Sequence, residues 1–157
     1  MTGEGQAQLE DTQSLLVLQL VKALKDRNIG ETRIAAKSLK HLIDQYPDSV
    51  EAHRAYIETK TMLKEVQGAG LVCRHGQCSS RSMPCILYGE ALALSYSNPP
   101  DIPLVLKRLR QAEAHNPSIP YIHQTLGWAY EQQERLFRTI RQFDRQNPGI
   151  SYCLRPQ

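Results

Sequence analysis

The sequence predicts an all-α protein built from about four antiparallel helical hairpins in a row, the second of them irregular. Three observations lead there. Leu92-Ala93-x2-Tyr96 recurs thirty-four residues later as Leu126-Gly127-x2-Tyr130, and a fixed period of that size marks stacked units that cannot bury their apolar faces singly. Apolar residues recur at helical spacing in one segment after another, separated by short connections rich in Asn, Pro and Gly. Aromatic residues make up only 6% of the chain, which disfavours a β-sandwich, where aromatic and β-branched side chains concentrate.

Taken in order, residues 1–12 read as a flexible, acidic N-terminal tail, polar and without anything to pack. The helical repeat region spans residues 13–148. Its first helix begins at about Thr12, with Leu15, Leu16, Leu18, Val21 and Leu24 as an amphipathic stripe. Asn28-Ile29-Gly30 stops it, because Asn and Gly tolerate the left-handed conformation that a helix end needs. A second helix covers residues 31–46, with Ala35, Leu39, Leu42 and Ile43 inward, and Pro47 prevents its continuation. Asp48-Ser49 supplies N-cap chemistry for a third helix over residues 50–66.

Residues 67–84, QGAGLVCRHGQCSSRSMP, show no apolar period and read as an irregular Cys-containing loop. Helix resumes over residues 85–96. Asn98-Pro99-Pro100-Asp101 makes a turn, and Pro103 suits the first turn of a helix that runs to about His115 with Val105, Leu109 and Ala112 inward. Asn116-Pro117 closes that helix. Ser118 is expected to cap the next, which carries Pro120 near its start and ends at about Gln132. A last helix, residues 134–146, places Leu136, Ile140 and Phe143 at i, i+4 and i+7 before Asn147-Pro148-Gly149. Residues 149–157 form a C-terminal tail.

These residues resemble the tetratricopeptide-repeat (TPR) family, whose degenerate thirty-four-residue pattern has Leu-Gly, Tyr, Ala, an aromatic or Leu, and a closing Pro. The unit starting at Ile86 matches with Leu92, Ala93, Tyr96, Val105, Leu109, Ala112 and Pro117. The unit starting at Pro120 matches with Leu126, Gly127, Tyr130 and Phe143, although its Pro148 comes three residues early. The first unit has Ala23, Ala35, Leu39, Leu42 and Pro47 in place, and the second keeps only its first helix, with Tyr56 at the Leu position. The resemblance implies a right-handed superhelix in which Ala93 and Gly127 let helices approach while Tyr96 and Tyr130 fill the space toward the next unit.

The same resemblance implies a concave groove lined by the first helix of each unit: Arg54, Glu58 and Met62, then Glu90 and Leu94, then Tyr121, Gln124 and Trp128. Such a surface suits an extended peptide or a partner helix, and Trp128 is the expected anchor. One family subclass grips a C-terminal carboxylate with Lys and Asn. Leu20, Leu24, Ala55 and Ala91 stand at those positions here, so that ligand is not implied. The function expected is therefore that of a protein-protein interaction scaffold or adaptor with another protein or peptide as partner. An apolar end with no polar capping helix points further to self-association, or to a constitutive partner.

Two alternatives arise from the residues. Cys73, His75, Cys78 and Cys85 lie within thirteen residues, and four such side chains could hold zinc or sense redox state. Their spacing, C-x-H-x2-C-x6-C, is no recognised zinc signature, and no metal or cofactor is assigned. Arg135, Arg138, Arg141 and Arg145 recur at three and four along the last helix and could contact phosphates or an acidic partner, though a solvated outer face opposite Leu136, Ile140 and Phe143 is the simpler account. A net charge of +3 is too small to argue for nucleic acid.

No Ser-His-Asp order, Gly-rich phosphate loop or supported carboxylate pair stands out, so an enzyme is not expected. The start of the chain lacks a basic region ahead of an apolar one. The run Leu15–Val21 is too short to span a bilayer. The expected location is cytoplasmic, where four Cys are too few for a disulfide scaffold.

Overall fold

The computed structural model of the chain describes the backbone of residues 3–66, 69 and 81–146, with side chains for 12–66, 69, 81–142 and 145. The described residues form six helices and no strand: α1 Gly3–Asn28, α2 Thr32–Gln45, α3 Val50–Met62, α4 Met83–Ser95, α5 Ile102–His115 and α6 Pro120–Gln146. They pack mainly in chain order. α1 lies against α2 and α3, α2 against α3, α3 against α4, and α4 and α5 against each other and against α6. One contiguous core runs from Ala23 in α1 to Ala129 in α6.

The inward faces of α2 and α5 are those the apolar spacing predicts. Ala35, Leu39, Leu42 and Ile43 are buried, as are Val105, Leu109 and Ala112. Side chains cap two helices, the first as expected and the second at a residue read only as part of a turn. Ser49 Oγ accepts the Ala52 amide at 3.2 Å at the start of α3, and Asp101 Oδ1 accepts the Leu104 amide at 3.1 Å at the start of α5. Gly30, at φ +96°, turns the chain from α1 into α2 in a conformation that side chains rarely adopt.

Several expectations are corrected. α1 starts at Gly3 rather than at about Thr12, since Gln, Ala, Leu and Glu in that stretch are good helix formers and no proline interrupts them. Its buried side carries Ala23 with Leu16, Leu20 and Leu24, while Leu15, Leu18 and Val21 face out. α3 stops at Met62, four residues short of the expected end, where Lys64 takes a positive φ. Ser118 does not cap α6. It sits in the preceding turn, its amide donating to Asn116 Oδ1 at 3.0 Å.

The largest departure is at the end. The two helices expected over residues 120–132 and 134–146 are one continuous helix, α6. Nothing between Gln132 and Arg135 breaks a helix, and Glu131–Arg135 (2.6 Å) and Glu134–Arg138 (3.0 Å) pair at i,i+4 straight across the expected turn. Among the described residues the fourth hairpin is therefore absent, and Leu136 and Phe137 are half exposed. Gly127 is not a point of close helix approach as expected: an added Cβ there would meet nothing within 4 Å. Tyr130 lies 42% exposed with its hydroxyl held by Arg110 at 2.9 Å, and Tyr96 is 44% exposed, so neither ring is buried between units as expected.

Two turns share a device that the repeat pattern does not contain. His53 Nε2 donates to the Pro47 carbonyl at 2.9 Å, and His123 Nε2 to the Pro117 carbonyl at 2.6 Å. Each histidine ties the first turns of a helix back to the proline that ended the helix before it. The two Pro-x5-His segments stand seventy residues apart, close to two periods. His53 is fully buried, and burial pushes its imidazole pKa below the ordinary value against the smaller opposing effects of the Pro47 carbonyl and Asp48.

Two predictions follow from this arrangement. Leu109→Ala removes a fully buried side chain and should cost roughly 2–5 kcal/mol, whereas Leu136→Ala should cost under about 0.5 kcal/mol; urea unfolding measures both, and a multi-kilocalorie loss at Leu136 would mean that α6 folds back after all. His53 stays neutral in the folded protein while the unfolded chain takes up a proton, so its contribution is complete above about pH 6.5 and is lost as pH falls toward the lowered folded value. His53→Gln, whose amide still reaches the Pro47 carbonyl, should flatten the fall in stability between about pH 7 and pH 5. An identical pH slope in both proteins would contradict this.

Candidate functional site

The most developed surface cluster forms where α3, α4 and α6 come together. α3 contributes Arg54 and Glu58, one turn apart. Arg54 Nε donates to Glu58 Oε1 at 2.8 Å, and Arg27 Nη1 of α1 donates to Glu58 Oε2 at 3.4 Å. The carboxylate thus sits between two guanidinium groups. Its hydrogen bond, ahead of the opposing effect of burial, pushes the Arg54 pKa further up.

The other side of Arg54 is aromatic. Its guanidinium lies 4.8 Å from the ring centre of Tyr121 in α6, a cation–π contact worth about 0.5–2 kcal/mol. Tyr121 in turn leans on Tyr88 of α4, with ring centres 6.4 Å apart and planes inclined at 37°. Tyr88 is fully buried, bonds to Thr125 of α6, and has its pKa pushed up to about 12, chiefly by burial. It forms the floor on which Tyr121 and Arg54 rest. Tyr96, at the far end of α4, is also raised, first by burial and then by the charge of Glu58.

The expected groove residues divide on this framework. Arg54, Glu58 and Tyr121 are brought together. Trp128, two turns along α6 from Tyr121, is half buried against the core, as is Leu94, while Gln124 and Met62 are exposed. Glu90 is the exception. It is buried and its carboxylate meets the Arg108 guanidinium of α5 at 3.1 Å, so it joins the two helices of one hairpin instead of lining an open face. Sequence reasoning missed Tyr88, the residue that supports the cluster. Its signal was its place two turns before Tyr96, on the same side of α4.

Of the repeat-signature positions, Leu92, Ala93 and Leu126 are buried, Pro117 is exposed, and the Phe143 side chain lies outside the described residues. Cys73, His75 and Cys78 lie outside them too. Cys85 faces inward, its thiol donating to the Asp48 carbonyl at 3.1 Å, and burial pushes its pKa up to about 12. A thiol so held is neither a ready metal ligand nor a reactive nucleophile. Among the described residues no group of three or more His, Cys, Asp or Glu could hold a metal ion. Arg135 and Arg138 are engaged by Glu131 and Glu134, which leaves Arg141 and Arg145 as the cations of that helix without an ion pair among the described residues. No helix of the described residues is long and apolar enough to cross a membrane.

Comparison of the chain with protein-family models, with curated proteins and with solved structures finds no match.

Proposed function

We propose that this chain is a TPR-like helical scaffold that binds a peptide or partner helix across α3, α4 and α6. The observation that carries this reading is the stacked set Tyr88–Tyr121–Arg54–Glu58, held rigid from below and open at its outer end. A preordered set of charged and aromatic groups costs little to organise when a ligand binds. Arg54 and Glu58 offer bonding to backbone or side-chain polar groups, and Tyr121 and Trp128 offer flat apolar faces, the residue types that dominate binding energy at interfaces. The groove extends to Gln124 in the middle of α6 and to Met62 at the end of α3. The inward aim of Cys85 counsels against the metal or redox alternative, and the pairing of Arg135 and Arg138 counsels against a phosphate-binding stripe.

The test is affinity capture from cell extract with quantified recovery, comparing the native protein with Gln124→Lys, an exposed change that leaves the core alone, and with Trp128→Ala. Both variants should lose the same partner, Trp128→Ala by about 30-fold or more, as for an interface anchor. A partner retained equally by both would place binding elsewhere.

A further inference from the structure

Donors and acceptors in the cluster on α3, α4 and α6 are unevenly matched. Both oxygens of Glu58 are engaged, Oε1 by Arg54 Nε at 2.8 Å and Oε2 by Arg27 Nη1 at 3.4 Å. Arg54 donates through Nε alone; its Nη1 and Nη2 groups, the rest of the planar fork, have no partner among the described residues. The guanidinium is nevertheless fixed in place. Glu58 holds its Nε side, the Tyr121 ring covers one face with its centre 4.8 Å away, and Tyr88 supports that ring. What stays open is the outer edge, Nη1 and Nη2 side by side, on a side chain 39% exposed.

Such an edge matches a planar group that presents two acceptor oxygens in parallel, which is a carboxylate. The charges point the same way. Two guanidinium groups, Arg27 and Arg54, stand against the single carboxylate of Glu58, leaving one positive charge that one carboxylate neutralises. Arg27 and Glu58 are half-buried, so that charge is screened less than on an open surface. Glu51, one turn before Arg54, does not cancel it by contact. Its Oε2 accepts from the Ser49 hydroxyl at 3.5 Å, and it has no ion pair among the described residues. The surroundings decide where the carboxylate comes from. Arg54 stands between residues of two other helices, Arg27 of α1, reached through Glu58, and Tyr121 of α6. A ligand that crosses the groove therefore continues past Arg54 toward both, and the acid is an internal side chain rather than a chain end.

We propose, given binding across α3, α4 and α6, that the groove selects an acidic peptide and that Arg54 recognises it. Nη1 and Nη2 donate in parallel to the side-chain carboxylate of one Asp or Glu, while Glu58 and Tyr121 keep the fork aimed at it. Arg54 is thus a specificity residue, and Tyr121, Trp128 and Met62 supply contact that does not depend on the ligand's charge.

The test selects random synthetic peptides with both ends blocked on the native full-length chain, so that only Asp and Glu supply carboxylates. Affinities of the selected peptides follow from the anisotropy of a fluorescent label. The peptides should share an acid at one position, and replacing it by its amide should weaken binding about 10-fold or more, as for a lost charge-assisted pair. In Arg54→Gln the acid and amide peptides should bind within about 3-fold of each other, because the group that distinguishes them is gone. If that variant loses its helical circular dichroism, Arg54→Lys, which keeps the charge without the fork, takes its place and should at least halve the acid-to-amide ratio. Phosphoserine in place of the acid should bind no more tightly; tighter binding overturns the choice of a carboxylate. Peptides that lose affinity in Trp128→Ala yet need no acid, or an acid preference that Arg54→Gln leaves unchanged, overturn the acidic assignment and leave the groove standing. Peptides bound equally by the native protein and Trp128→Ala remove the groove and the acidic assignment together, as does a selection that yields no peptide.

Discussion

The described helices pack mainly on their neighbours in the chain, and that order of packing decides which apolar side each can bury. α2 and α5 are flanked on both sides, and their inward residues are sealed. α1 and α6 stand at the ends, and each keeps a stripe of leucine, valine or phenylalanine toward solvent. The buried core and the exposed sides of the end helices thus follow from the same order of packing.

The cluster on α3, α4 and α6 rests on the same packing. Tyr88 belongs to the core by burial and to the surface by contact, since it supports Tyr121, which supports Arg54. Arg54 is then fixed from the other side by Glu58, itself tied to Arg27 at the start of the row. Four helices thereby share one set of contacts. The two histidines that reach back to Pro47 and Pro117 set how α3 and α6 leave their turns, and so where Arg54 and Tyr121 stand.

Much of the fold was legible because helix propensity, apolar spacing and turn chemistry agree over residues 31–62 and 83–117. Ser49, Asp101, Gly30 and the inward faces of α2 and α5 do locally what their residue types favour. The sequence was less clear where a local signal competed with a repeat pattern. The thirty-four-residue period called for a turn near Gln133, yet the residues there are helix formers bridged by ion pairs, and the local preference won. The stripe of α1 misled for a different reason: it has apolar residues on both sides, and only the position of α2 and α3 decides which side is buried. Glu90 looked like a groove residue by period, but Arg108 lies within reach on α5 and holds it inside the hairpin. Counting along the repeat named Arg54, Glu58 and Tyr121, which lie together in the structure, whereas Tyr88 and Arg27 depend on which helices meet, which spacing along one chain does not encode.

Packing in chain order is tested most directly by the distance between α1 and α6. Spin labels at positions 18 and 137 of the same chain, diluted in unlabelled protein so that only intramolecular pairs are read, give that distance by pulsed electron resonance. An array packed in chain order predicts a separation well beyond the roughly 10 Å between the axes of neighbouring helices. A narrow distribution at that short contact distance would show α1 and α6 lying side by side in one bundle, and would contradict the account.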